Sequence, residues 1–115
     1  MAQKAIVKVL QRYLQEISSQ NVPIEFGVLF GSYARDAARI DSDIDILVVS
    51  VLFDNDKSLD KRLQLWRVAA RLDSRIEPIA CGLQQWQSDT VSTIIEIARR
   101  EGPLIYPERI AHPVA

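Results

Sequence analysis

Gly31-Ser32-Tyr33-Ala34-Arg35-Asp36-Ala37-Ala38-Arg39-Ile40-Asp41-Ser42-Asp43-Ile44-Asp45 is the stretch on which the architecture turns, because it joins two apolar runs. Ile24 to Phe30, just ahead of it, is rich in β-branched and aromatic residues and reads as a buried strand. Asp43 to Val49 opens with alternation and ends as an apolar run, as a central strand does when its first residues reach the edge of a sheet. Gly31 ends the first strand, and Ser32 is a good N-cap for a short helix through about Ala38.

Working outward, Ile6, Leu10, Tyr13, Leu14 and Ile17 recur at helical spacing and predict a helix over 3–18, which Asn21 and Pro23 break. Beyond the second strand, Asp54 to Lys57 is a polar loop. Leu59, Leu63, Trp66 and Ala70, with Leu65 and Ala69 beside them, then signal a helix from Ser58 to Leu72. Arg75 to Cys81 reads as a third strand closed by Gly82, and Pro78 places it at an edge or at a bulge. A last helix runs from Thr90 to Arg100 and stops at Gly102-Pro103. Leu104 to Tyr106 offers a short fourth strand, and about 107–115 is a tail. The order predicts an α/β (α+β) fold, a small sheet of three to four strands flanked by helices.

With 115 residues, the chain is expected to form a single domain, 1–115. Its 48% hydrophobic and 25% charged residues are the balance of a globular protein. The net charge of −1 gives no basic surplus, so direct nucleic-acid binding is not expected. No continuous apolar segment suggests a signal peptide or membrane span. Cys81 is the only cysteine, which excludes an internal disulfide and makes a reducing cytoplasm the expected location. The one histidine, His112, falls in the tail, so a hydrolase built on a histidine base is disfavoured.

Three features carry chemistry. At the strand-to-helix turn, Gly31 lets an anion approach the backbone, and Ser32 adds a hydroxyl donor at a helix start; an ordinary helix cap reads the same way. Asp43 and Asp45, two apart on a strand, share one face with Cα atoms about 6.5–7 Å apart. Two such carboxylates repel, and a divalent cation such as magnesium resolves the repulsion; the alternative is a pair of solvated loop residues. Glu77 sits mid-strand, where a carboxylate is costly unless it faces metal or water. Arg35 and Arg39 suit phosphate oxygens, or are exposed charges balanced by Asp36 and Asp41. Tyr33 is expected to pack over the turn, Trp66 and Trp86 to lie in the core or an interface, and Cys81 to be a small buried hydrophobe.

Together these residues resemble the signature of the DNA polymerase β-type nucleotidyltransferase superfamily: Gly-Ser, ten residues, then Asp-x-Asp. The likeness is nearest to its minimal nucleotidyltransferase (MNT) branch, which includes antitoxins paired with helical HEPN toxins. That branch often reads Gly-Ser-x-Ala-Arg-Gly; here Asp36 replaces the final glycine, and Ile40 stands where proline is frequent. The resemblance runs from about Phe26 to Val49 and more loosely through Glu77.

The resemblance implies the polymerase β-type fold and a metal-dependent enzyme. Asp43, Asp45 and Glu77 would be catalytic and would bind two magnesium ions, and Glu77 would also accept the acceptor's proton. Gly31 and Ser32 would hold the triphosphate, with Arg39 a further nucleotide contact. It implies AMP transfer from ATP to a tyrosine of a HEPN toxin partner, in a homo- or hetero-oligomer. A non-catalytic binding subunit, and transfer to a small molecule such as an aminoglycoside with a helical partner completing the site, stand as alternatives.

Overall fold

The computed structural model describes residues 4–39, 41–55 and 59–108. Along the chain these form α1 (Lys4–Ser18), β1 (Phe26–Phe30), β2 (Ile44–Ser50), α2 (Leu52–Asn55), α3 (Leu59–Leu72), β3 (Ile76–Gly82), α4 (Leu83–Ser88), α5 (Thr93–Glu101) and β4 (Leu104–Ile105). The strands make one mixed sheet in the order β3-β2-β1-β4. β1 is antiparallel to β2 and to β4, while β2 and β3 run parallel. β2 is buried along nearly its whole length, which its Ile44-to-Val49 apolar run requires of a strand covered on both faces. β3 is an edge strand, so Pro78 leaves no ladder bond unmade on its free side. Helices on both faces complete the expected α/β sandwich. No helix among the described residues is long and apolar enough to cross a membrane.

Side chains alternate across the sheet, giving each face its own core. On one side Leu29, Ile44, Ile46, Val48 and Ile76 meet Leu10, Tyr13, Leu14 and Ile17 of α1 and Leu65, Val68 and Ala69 of α3. Tyr13 is fully buried there and donates its hydroxyl to the Leu65 carbonyl at 2.8 Å, joining the two helices. Burial pushes the phenol far above its ordinary range, so it stays a neutral donor. On the other side a smaller cluster joins Val28, Phe30, Leu47, Val49 and Cys81 to Ile95 and Ala98 of α5.

Three expectations are corrected. Residues 32–38 form no helix: the segment is a turn, with the Ala34 and Arg35 amides donating to the Gly31 carbonyl and Ala37 to that of Ser32. Asp36 takes φ 55°, a left-handed conformation that cannot propagate a helix. The apolar stripe that signalled α3 is its outer face. Leu59, Leu63 and Trp66 are 66%, 41% and 47% exposed, and the core is met by Leu65, Val68 and Ala69. Two short helices, α2 and α4, were not expected. α4 depends on a distant cap: Asp54 accepts hydrogen bonds from the Gln84 and Gln85 amides at 2.9 and 3.3 Å. Gly82 precedes it because any Cβ there would overlap the Asp54 carboxylate.

The other boundaries fall within a few residues of expectation. α5 begins at Thr93, where the Ser92 hydroxyl caps the Ile95 amide. Of the expected tail, Pro107 and Glu108 are described, and Glu108 donates its amide to the Gln11 carbonyl; His112 lies outside the described residues.

Candidate active site

The parallel pairing of β2 and β3 sets Asp45 directly beside Glu77. Partners in register point to the same face, and Asp43 lies two residues before Asp45, so three carboxylates collect at one end of the sheet. They occupy the face with the smaller core, just past its last apolar positions, Phe30 and Leu47. In the antiparallel pair, Phe30 stands opposite Asp45, which brings the end of β1 to the same place. Gly31 follows at φ 77°, and a Cβ built on it would overlap Asp45 Oδ2. The glycine is therefore needed twice, for a left-handed turn and for the carboxylate lying against its bare Cα.

The electrostatics follow from this crowding. Asp45 titrates above the usual carboxylate range because it is partly desolvated and because Asp43 is near; a hydrogen bond from Glu77 and the charge of Arg35 act the other way. Glu77 is also raised, by desolvation, by the charges of Asp43 and Asp45, and by hydrogen bonds to both. The crowding thus makes full ionisation of Asp45 and Glu77 costly. Among the described residues, no group of three His, Cys, Asp or Glu side chains stands in an arrangement that holds a metal ion. The donors nevertheless fit a hard divalent cation in kind: they are three carboxylates gathered on one face, and a cation would offset their mutual repulsion.

Arg35 is the arginine whose charge reaches Asp45, and it also pairs with Glu101 at 3.4 Å. Arg39 is exposed. Its amide donates to Ser42 Oγ at 2.7 Å and its carbonyl accepts from the Tyr33 hydroxyl at 3.3 Å. Ser32 lies half-buried in the turn beside Gly31. Tyr33 packs into the larger core, as expected, and its hydroxyl also accepts from Arg75 Nη1 at 3.1 Å. Arg75 is itself forked onto Asp73, at 2.7 and 3.0 Å, which holds the Asp73 carboxyl below its ordinary range. The Tyr33–Arg75 contact was missed because it spans 42 positions and no local pattern announces it.

Away from the site, Cys81 is the buried small residue expected, its thiol pushed up to about 11 by burial. Trp86 lies edge-on to Phe26, and Arg99 sits over its ring while donating to the carbonyls that end α4.

A mixed sheet thus carries a Gly-Ser turn leaving one strand and acidic residues at the ends of the next two. Residues 12–108 match the family model described as polymerase beta, nucleotidyltransferase, and the chain belongs to that family. Solved structures agree on the fold. A protein from Sulfolobus solfataricus, provisionally described as a nucleotidyltransferase, superposes with a TM-score of 0.59 at 20% identity, over 87% of this chain and 78% of that one. A chain of a toxin–antitoxin complex solved with AMP-PNP gives 0.58 at 22% identity, over 86% and 74%. A chain from a Shewanella oneidensis complex of tri-AMPylated HEPN toxin with MNT antitoxin gives 0.54 at 21%, over 89% and 73%. No curated protein matches significantly.

Proposed function

We propose that the chain is a metal-dependent nucleotidyltransferase that moves AMP from ATP onto a tyrosine of a helical HEPN toxin and so acts as its antitoxin. The observation that carries this reading is the register of Asp45 against Glu77, with Asp43 on the same face and Gly31 pressed against Asp45. The family supports nucleotidyl transfer. The likeness to a complex solved with AMP-PNP, and to one containing a tri-AMPylated HEPN toxin, supports ATP as donor and a toxin as acceptor.

In this reading Asp43, Asp45 and Glu77 would hold two magnesium ions, which when bound would supply charge neutralisation for an in-line displacement at phosphorus. The Gly31 turn and the Ser32 hydroxyl cradle the triphosphate, and Arg35 and Arg39 are placed along the same segment to meet its oxygens. Glu77 would take the proton of the tyrosine hydroxyl as the new bond to phosphorus forms. The acceptor oxygen bonds to the α-phosphorus, and pyrophosphate leaves.

The test is transfer of label from ATP carrying a radioactive α-phosphate to a HEPN partner in the presence of magnesium. The expected result is labelled tyrosine, with Asp43→Asn slowing transfer on the order of a thousandfold, about 4 kcal/mol of barrier. Label that never reaches the partner, or that arrives equally fast with Asp43→Asn, overturns the reading. Neutralisation that survives the simultaneous change of Asp43 and Asp45 to asparagine would leave a binding subunit in its place.

A further inference from the structure

α3 is apolar on two sides. Leu65, Val68 and Ala69 face the core, while Leu59, Leu63, Trp66 and Ala70 line the outside and are all exposed. These four recur at steps of four, three and four, the spacing of a seam between two helices. At about 100° per residue they fall within a band about 60° wide, well apart from the core-facing side. Exposed Leu and Trp scattered singly need no explanation, but four apolar residues in one line on one helix do.

We infer that this line is where two copies of the chain pair, α3 lying antiparallel to its twin about a two-fold axis. The choice of occupant comes from the line's complementarity to itself. Centred between Gln64 and Leu65, antiparallel pairing sets the largest overhang, Leu59, against the partner's Ala70. It sets Leu63 against the partner's Trp66, so large residues meet small ones at the ends and an aromatic anchor fills the middle. The charges on the flank agree. Asp60 and Arg67, both exposed, lie on the same edge of the line, and the antiparallel arrangement brings Asp60 of each copy to Arg67 of the other, twice over. The opposite edge carries Arg62, which already stacks on Phe53 of its own chain. This inference does not depend on the proposed chemistry, because the line lies on the helix covering the face opposite the carboxylates.

Sedimentation of the purified chain over a series reaching high micromolar concentration is the test. The expected result is a reversible monomer–dimer equilibrium that Trp66→Ala weakens about thirtyfold or more. Asp60→Arg and Arg67→Asp should each weaken it about tenfold at low salt, by replacing two attractive pairs with two repulsive ones, and the double swap should restore it. In a variant combining Leu59→Cys with Ala70→Cys, the two thiols are about 16 Å apart along one helix, so any disulfide joins two chains. Cys81 is buried and does not compete. Covalent dimers are expected from this variant and not from Leu59→Cys alone. All the changes are at exposed positions, and unaltered circular dichroism confirms that the fold is retained. A chain that stays monomeric throughout overturns the inference, including one that uses this line to hold a different helical protein. So does a double swap that fails to recover, or Leu59→Cys cross-linking alone.

Discussion

On the side of the sheet covered by α1 and α3, Leu10, Tyr13, Leu14, Ile17, Leu29, Ile44 and Ile46 have no exposure at all, and the larger core runs the length of the strands. On the other side apolar contact ends at Phe30 and Leu47, and the sheet finishes in Asp43, Asp45 and Glu77, of which Asp45 and Glu77 titrate high through desolvation and then repulsion. The same strands build both sides, since Ile44 and Ile46 point one way while Asp45 and Leu47 point the other. Stability and chemistry are thus separated by a single peptide unit, and the first can support strain in the second.

The sharpest way to break this comparison is to hollow the larger core. Leu14→Ala should cost about 3 kcal/mol in urea unfolding, whereas Ile95→Ala across the sheet should cost about 2, because the thinner layer can settle into the space. Both folded variants should retain the wild-type rate of nucleotidyl transfer. Equal costs, or a slowed rate in Leu14→Ala, would mean that the sides are not independent.

A change at the junction should affect both quantities. Gly31→Ala places a Cβ at φ 77° and into the Asp45 carboxylate, so a stability loss of about 1–2 kcal/mol is expected from the backbone alone. Displacing the carboxylate should slow transfer about a hundredfold, read as a fall in kcat/KM. An unchanged rate would show that Asp45 need not lie where it does.

The smallest effect concerns pH. A carboxyl that binds its proton more tightly when folded favours the native state most below the ordinary carboxylate range. That contribution disappears as pH rises through the raised native value. Asp45 and Glu77 should therefore weaken the metal-free protein at neutral pH and not in acid. Glu77→Gln should raise the melting temperature by at most a few degrees at pH 7 and leave it unchanged near pH 4. A rise of equal size at both values would place the cause outside the charges.

Much of this was legible before any coordinates. Periodicity marked α1, β1 and β2, and the spacing of Gly31, Ser32, Asp43 and Asp45 marked one end of the sheet. Pro78 pointed to an edge or a bulge, and β3 lies at the edge of the sheet. What could not be read depended on contacts distant in sequence. The cap of α4 arrives from Asp54, some thirty positions earlier, so no signal within Leu83–Ser88 announces the helix. The register that joins Asp45 to Glu77 follows from strand directions that a linear pattern leaves open. In α3 the helical period was right, but a helix with two apolar sides offers two equally good stripes, and the pattern left open which one meets the core. At 32–38 a good cap residue suggested a helix, but Asp36 adopts the left-handed geometry for which the related branch favours glycine.

The link from Arg75 through the Tyr33 hydroxyl to the Arg39 carbonyl closes the intervening segment like a drawstring. The residues between are thereby relieved of setting their own path, since both ends are tied down from outside. Changes of length between Asp36 and Ala38 should cost the Ala37–Ser32 bond and the packing of Ala38, yet leave the Gly31 turn and Asp43 in place.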